Sequence, residues 1–385
     1  MKIFSAEQIR EADNITIKNQ DITSDALMER AGHTVFEWIH KRLAGKQTKM
    51  HIFCGVGNNG GDGMVLGRLF IEHGYNVEVY IVDFSKSRSS DFLMNLDRIK
   101  SLKYWPEVLE SASEFPGVEK NDIIIDCIFG VGLNRSPELW VGKLIENMNH
   151  SGAFIISVDI PSGLFTDRAP EKLDWVVKPN TVLTFQLPKL VFFLPQTGNF
   201  TLHWEIMDIG LDNVFLNQAT PQATLIGQNE AKLLYRPREK FSHKGTFGHV
   251  AIVGGSYGKI GAALMAAEAA LNAGCGLVTA FIPGCGYQTF QTAFPEAMVL
   301  TDVNEKYITN VSLDFEPSVI AIGPGIGRQP ETKLAFEQFL KANTHPLVID
   351  ADALNLLSEN KELLKMLPPK SILTPHPKEF ERLAG

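Results

Sequence analysis

Residues Met50–Leu66, MHIFCGVGNNGGDGMVL, leave a chain few ways to fold. The apolar run Met50–Cys54 has the length of a buried strand, and a turn rich in glycine and asparagine follows it. Beyond the turn Val65 pairs with Leu69, and Leu66 with Phe70, at helical spacing, and Gly74 offers a stop. The reading is strand, loop, helix. Glycines let the loop backbone approach a ligand closely, and free N–H groups at a helix start favour an anion. Gly55, Gly57 and Gly60 satisfy the dinucleotide fingerprint G-x-G-x-x-G, with Glu78 and Asp83 about twenty residues on. That match alone is weak, since tight packing also calls for glycine.

The rest of the first half repeats the pattern. Ser5 with Gln8 forms a capping box, with Ile9, Ala12 and Ile15 on one face of the helix that follows. A second helix starts near Ser24. Asn76–Phe84, Asp122–Phe129 and Phe154–Ile160 read as strands, and so do Thr181–Phe185 and the segment about Phe200–Met207. Apolar strands alternating with helices predict a parallel sheet covered on both faces, with ligands at the carboxyl ends of its strands. The turns Gly55–Gly63, Gly130–Ser136 and Pro161–Gly163 each follow a strand, so one edge should carry all three.

Asn217–Thr224 is polar and poor in apolar residues, and marks the expected boundary between a domain of residues 1–216 and one of 225–385. The pattern then restarts. His249–Val253 and Gly276–Phe281 read as strands, Ser318–Gly327 as strand plus glycine turn, Pro346–Asn355 as strand plus acidic turn, and Lys370–Leu383 as strand, TPHP turn and helix start. Glycine or acidic turns close several of them.

A length of 385 residues with 44% hydrophobic and 21% charged residues suits two soluble globular domains. The net charge of −8, without a basic stripe, argues against nucleic acid as a partner. The four cysteines, Cys54, Cys127, Cys275 and Cys285, form no C-x-x-C pair and no zinc spacing. The polar start MKIFSAEQIREAD fits no signal peptide, and no apolar run is long enough to span a bilayer. The expectation is a cytoplasmic protein with reduced thiols.

One group of residues goes beyond a plain fingerprint: Asn58, Asn59, Gly60, Gly61 and Asp62, with Asp126, Gly130–Ser136, Asp159 and Ser162. Asp126 lies inside an apolar run, where a carboxylate is costly unless paired or metal-bound. Capping of neighbouring turns by Asp126 and Asp159 is the plainer explanation. The functional one has oxygens from Asn59, Asp126 and Ser162 converging on a hard cation (potassium, sodium, calcium or magnesium, not zinc), with a second carboxylate free for acid–base work.

GNNGGDG (Gly57–Gly63), DCIFGVGLNRS (Asp126–Ser136) and SVDIPSG (Ser157–Gly163) resemble the bifunctional NAD(P)H-hydrate repair enzymes. In these an NAD(P)HX epimerase domain precedes an ADP- or ATP-dependent NAD(P)HX dehydratase domain. The resemblance implies an α/β chain, with a Rossmann-like three-layer domain followed by a ribokinase-like one. It implies substrate contacts at Asn58, Asn59, Gly60, Gly61 and Asp62, and at Gly130, Val131, Gly132, Leu133, Asn134, Arg135 and Ser136. Potassium (K+) is expected at Asn59, Asp126 and Ser162, and Asp159 beside the reacting ring. The implied reaction interconverts the R and S hydrates at the hydroxyl-bearing ring carbon. That step needs an acid–base group, for which Asp159 is the candidate. Lys189, Arg135 and Lys143 read as solvated cations that could assist with phosphates. Relatives of this kind imply a homo-oligomer.

In the second half, GGSYGKIGAA (Gly254–Ala263), GPGIG (Gly323–Gly327), DADALN (Asp350–Asn355) and TPHPKEF (Thr374–Phe380) stand out. Lys259 fails as a P-loop lysine because Ile260, not Ser or Thr, follows it. By resemblance Ala262, Gly325 and His376 line a hydrate site. The sequence ends at Gly385, before the Gly-[Ser/Thr]-Gly-Asp turn expected of a dehydratase, so an incomplete ribokinase-like domain without dehydratase activity is expected. Two rivals remain. An NAD-dependent oxidoreductase would use Gly55, Gly57 and Gly60, but no catalytic His or Tyr candidate accompanies them. A binding module would need no chemistry, against which stand Asn59, Asp126, Asp159 and Ser162 together.

Overall fold

A computed structural model describes all 385 residues, which divide into two compact units, Met1–Tyr235 and Arg236–Gly385. Asn217–Thr224 belongs to the first unit. Ala223–Thr224 pairs antiparallel with Lys2–Ile3, and the Lys2 ammonium donates to the Asn217 carbonyl. Polar composition marked this segment as a connector, but backbone pairing ties it down, and the chain leaves the unit after Tyr235.

The first unit is built on a seven-stranded parallel sheet. From edge to edge its strands are Glu107–Leu109, Val77–Val82, Met50–Cys54, Ile123–Cys127, Phe154–Val158, Thr181–Phe185 and Trp204–Met207. The chain starts in the middle at Met50–Cys54, winds outward one way, then returns and winds the other. Neighbouring strands part at their carboxyl ends only at such a switch point, here between Met50–Cys54 and Ile123–Cys127. The strands are buried on both faces, as helix-covered parallel strands must be. Their alternation divides the core. Ile52, Cys54, Val79, Ile81, Ile125 and Cys127 pack with helices Ser24–Leu43, Asn58–Glu72 and Ser90–Ser101, whereas Phe53, Tyr80, Val82 and Ile124 pack with helix Leu139–His150.

The expected capping box at Ser5 and Gln8 starts helix Ala6–Gln20, and the expected second helix begins at Ser24. One difference matters for the site. The segment read as a loop, Asn58–Asp62, is already the first turn of helix Asn58–Glu72, with Gly57 as its N-cap. Glycine disfavours a helix interior on propensity alone, but packing overrides it here. A Cβ on Gly60 would stand 1.8 Å from the Gly55 carbonyl oxygen, and one on Gly63 2.6 Å from Cys54 Sγ.

The second unit repeats the winding on six parallel strands: Met298–Thr301, Leu277–Ile282, His249–Val253, Val319–Ile322, Leu347–Ile349 and Ile372–Leu373. Its switch point lies between His249–Val253 and Val319–Ile322. Helices Ile260–Asn272 and Tyr287–Ala293 cover one face, and helices Pro330–Ala342 and Ala351–Glu359 the other. No helix is long and apolar enough to cross a membrane.

Candidate active site

A cavity of about 740 Å³ opens at the switch point of the first sheet. Asn58, Asn59, Asp62, the whole turn Gly130–Ser136 and Asp159 line it, so the sequence candidates are brought together. Gly60 and Gly61 are not. Gly60 packs on Gly55, and a Cβ on Gly61 would stand 2.6 Å from Met28 Sδ. These glycines let the helix lie close enough for its neighbours to reach the cavity, and do not themselves face it.

Asp126 and Ser162 lie beneath the cavity floor, both fully buried. Strand register sets Asp126 beside Ser157, whose hydroxyl donates to Asp126 Oδ2 at 2.7 Å. The Ser162 hydroxyl donates to Asp126 Oδ1 at 2.5 Å and its N–H to Oδ2 at 2.9 Å. Ile128 N–H adds a bond to Oδ1 at 3.3 Å. Burial pushes this carboxyl up, and the bonds from Ser162, Ser157 and Ile128 oppose that rise. No cation partners it. Above it the Asn59 amide donates to the carbonyls of Phe129 (2.8 Å) and Val158 (3.3 Å), which fixes its orientation. Asn59 Oδ1 is then buried with no partner at all. The Phe129 carbonyl also lies 3.4 Å from the Ser162 hydroxyl, which links the two groups. A buried carboxylate with hydrogen bonds but no counter-cation and an orphaned amide oxygen, without sulfur or imidazole, form a donor set that suits a hard cation. Asn59, Asp126 and Ser162 could hold one.

Asp159 ends strand Phe154–Val158 in the left-handed region, at φ 66°. A residue other than glycine is strained there, by about 1–3 kcal/mol, and must be held by its surroundings. Its N–H donates to the Leu183 carbonyl at 2.7 Å. Its Oδ1 accepts from Phe185 N–H at 3.3 Å and from Lys189 Nζ at 2.5 Å. The same ammonium donates to Thr184 Oγ1 at 2.7 Å and the Phe185 carbonyl at 3.2 Å. Lys189 is therefore fully buried and fully engaged, not a solvated cation free for a phosphate. Lys143 is exposed, and Arg135 is an exposed residue of the cavity rim.

Two more carboxylates share the space. Asp62 accepts no hydrogen bond, and burial, then the charges of Asp159, Asp13 and Asp91, push it well above the ordinary range. Asp13 was missed from sequence. Burial foremost, then Asp159, pushes it up to about 7, against the pull of Lys189. Helical spacing did carry a signal: Ile9, Asp13 and Ile17 follow at i, i+4 and i+8, and all three line the cavity.

In the second unit the glycine turns meet at the switch point. Gly325, at φ 66°, has no room for a side chain, since a Cβ would stand 3.0 Å from Ala262 Cβ and 2.7 Å from the Lys259 carbonyl. His376 lies further along the same edge, beyond strand Leu347–Ile349. It caps helix Pro377–Ala384, where Nδ1 accepts from Lys378 N–H at 3.2 Å. Asp352 accepts from Gly327 N–H at 3.0 Å and from Lys259 Nζ at 3.4 Å.

The sequence matches the family described as YjeF-related protein N-terminus over residues 24–191, and the family described as NAD(P)H-hydrate dehydratase over residues 250–385. A bifunctional NAD(P)H-hydrate repair enzyme of Moorella thermoacetica is 31% identical over 399 aligned positions, covering 100% of this chain and 75% of that one. One of Coxiella burnetii is 31% identical over 390, covering 100% and 76%. The chain thus spans about three quarters of the length of both relatives. A solved structure of an ADP/ATP-dependent NAD(P)H-hydrate dehydratase from Bacillus subtilis is similar at 27% identity and a TM-score of 0.36, over 43% of this chain and 57% of that one. With both domain families matched in order along its length, the chain belongs to the family of bifunctional NAD(P)H-hydrate repair enzymes.

Proposed function

We propose that the first unit epimerises NAD(P)HX, interconverting the R and S hydrates at the hydroxyl-bearing ring carbon. The observation that carries this is Asp159: a carboxylate held in a strained backbone conformation, paired with a buried lysine and facing a cavity at the switch point. Epimerisation needs a proton taken up on one side of that carbon and released on the other, and no electron acceptor. A positioned carboxylate suits this role. Lys189 uses all its donors on Asp159 and its surroundings, so it positions the carboxylate and stays off the substrate. Asn58, Asp62 and the Gly130–Ser136 turn provide polar contacts along the cavity, and Arg135 provides a cation near its rim.

Asn59, Asp126 and Ser162 are proposed to hold K+. The orphaned Asn59 Oδ1 and the unpaired charge of Asp126 support this reading. Potassium there would supply fixed positive charge to an otherwise acidic site. Exchange of potassium for tetramethylammonium should lower both the thermal midpoint and the epimerisation rate. If both stay unchanged, the cation site is wrong.

In the second unit Ala262, Gly325 and His376 are proposed to bound the hydrate site of an ADP- or ATP-dependent dehydration. The closeness of Ala262 and Gly325 at a switch point supports it.

The test is chromatographic separation of the R and S hydrates of NADH over time, with purified protein and potassium. The protein should speed equilibration over a protein-free control without forming NADH. Asp159→Asn should lower kcat by about 10²–10⁴-fold and spare binding, since that is the range for one acid–base group. An undiminished rate would remove Asp159 from the mechanism. A parallel sample with ATP reads the second unit: NADH appearing there assigns the dehydration to it.

A further inference from the structure

The cavity holds more carboxylates than one acid–base step uses, and one stands apart. Asp13 comes from helix Ala6–Gln20, outside the strand-end turns that form the rest of the site. Ala12 and Thr16, on either side of it, are buried, and the Thr16 hydroxyl bonds back to the Ala12 carbonyl at 2.7 Å. The helix is therefore fixed, with Ile9, Asp13 and Ile17 turned to the cavity. Asp13 accepts no hydrogen bond from any protein group and has no ion pair of its own, although Asp159 and Lys189 lie close enough to act on its charge. Asp13 is half-buried on the cavity wall, where a ligand can reach its carboxyl and no protein group ties it down.

We infer that Asp13 is a second catalytic residue of the epimerase, the proton partner of Asp159 across the substrate ring. This rests on the epimerase reading above. The hydroxyl-bearing carbon adjoins the ring nitrogen, so the chemistry balances without a further reagent. The Asp13 carboxyl gives its proton to the hydroxyl oxygen, the carbon–oxygen bond breaks, and water leaves. The nitrogen lone pair forms the carbon–nitrogen double bond. Water then adds to the opposite face, its proton passes to the Asp159 carboxylate, and the double-bond pair returns to nitrogen. One proton has moved from Asp13 to Asp159. The opposite conversion runs the same steps backwards, which is what a reversible epimerase needs. The working form is the pair with one proton.

Burial and the neighbouring Asp159 charge favour Asp13 as the holder of that proton near neutrality, since they push it up to about 7. Asp159 Oδ1, for its part, accepts from the Lys189 ammonium at 2.5 Å. Asp62 and Asp91 also line the cavity, from helices Asn58–Glu72 and Ser90–Ser101, with Asp62 held well above the ordinary carboxylate range by burial first, and Arg10, Arg135 and Glu138 line it as well.

The experiment compares wild type, Asp13→Asn and Asp13→Glu in the hydrate-separation assay across pH, in water enriched in oxygen-18. Wild type should lose rate as pH rises through about 7, where Asp13 loses its proton, and should place solvent oxygen in the inverted product. Asp13→Asn should lower kcat by about 10²–10³-fold, with KM changed less than about threefold and the fall above pH 7 gone. Asp13→Glu should restore part of the rate. A thermal melt separates misfolding from lost chemistry: Asp13→Asn should melt no lower than wild type at pH 8, because an amide there avoids the cost of ionising a raised carboxyl. A folded Asp13→Asn with normal kcat, or with only KM raised, overturns the assignment and leaves the epimerase reading intact. Inversion without solvent oxygen overturns the route through water loss. A wild type that does not speed equilibration at all overturns both.

Discussion

Asp62 in the first unit and Asp302 in the second are both buried carboxylates near the ends of parallel strands, and their surroundings treat them in opposite ways. Asp302 accepts from the N–H groups of Asn304 (2.8 Å), Thr309 (2.6 Å) and Asn310 (2.9 Å) and from the Thr309 hydroxyl (2.8 Å). Burial raises Asp302, but these bonds outweigh it and leave the carboxyl below its ordinary range. Asp62 accepts none, faces other carboxylates and sits well above that range. The same contrast separates the two edges. In the second unit His376 caps its own helix and Asp352 holds a glycine turn. In the first, Asn59 Oδ1, Asp13 and Asp62 are left without protein donors at or near the cavity. Satisfied carboxylates organise loops. Unsatisfied ones, concentrated in a cavity, mark where charge and protons are kept for a ligand.

That contrast is open to attack. Lys189→Met should have the largest effect, since it strands a buried carboxylate. A loss of about 3–5 kcal/mol in stability, together with loss of epimerisation, is expected from chemical denaturation and the hydrate assay. A stable, active Lys189→Met would mean that Asp159 does not depend on its partner. Gly63→Ala pushes a methyl into Cys54 Sγ and Cys127 Cβ, the latter at 2.8 Å, and should cost about 1–3 kcal/mol. Gly57→Ala meets open space and should cost less, so similar melts for the two would refute the packing role given to the helix glycines.

The paired carboxylates should respond to pH with opposite signs. Asp302 is depressed when folded, so its stabilisation is present above the ordinary carboxylate range near 3.8 and is lost as pH falls through its lower folded value. Asp302→Asn should therefore destabilise at pH 7, by about 1–3 kcal/mol, and matter little at the acid end. Asp62 is raised, so its ionisation costs stability as pH climbs above the ordinary range. Asp62→Asn should raise the thermal midpoint at pH 8 and leave it alone at pH 4. Equal responses of the two variants would erase the distinction. The smallest effect belongs to His376→Ala, an exposed cap, at about 0.5 kcal/mol or less in melting experiments.

Much of this was legible from residue order. Met50–Cys54 and Thr181–Phe185 occur with the bounds expected of them, because buried parallel strands are continuous apolar runs. Glu107–Leu109 and Met298–Thr301 escaped notice: they are short, and each is an edge strand paired on one side only. The substrate turns were visible because glycine, asparagine and aspartate after a strand are unusual in combination. Lys189 was misread as a solvated cation, since nothing in its neighbours announces that Thr184, Phe185 and Asp159 will enclose it. Asp13 was not among Ile9, Ala12 and Ile15, the residues read as one face of its helix, and its meaning depends on residues far along the chain.

The sequence by itself determined the two parallel α/β units, their order and the strand-end turns that gather at the first switch point, because periodicity and glycine placement are local properties. Tertiary structure decided which polar groups would be satisfied. It paired Asp159 with Lys189, tied Asp126 to Ser157 and Ser162, and left Asn59 Oδ1 and Asp13 free. Those outcomes depend on distances across the sheet and on burial, and no local pattern encodes either.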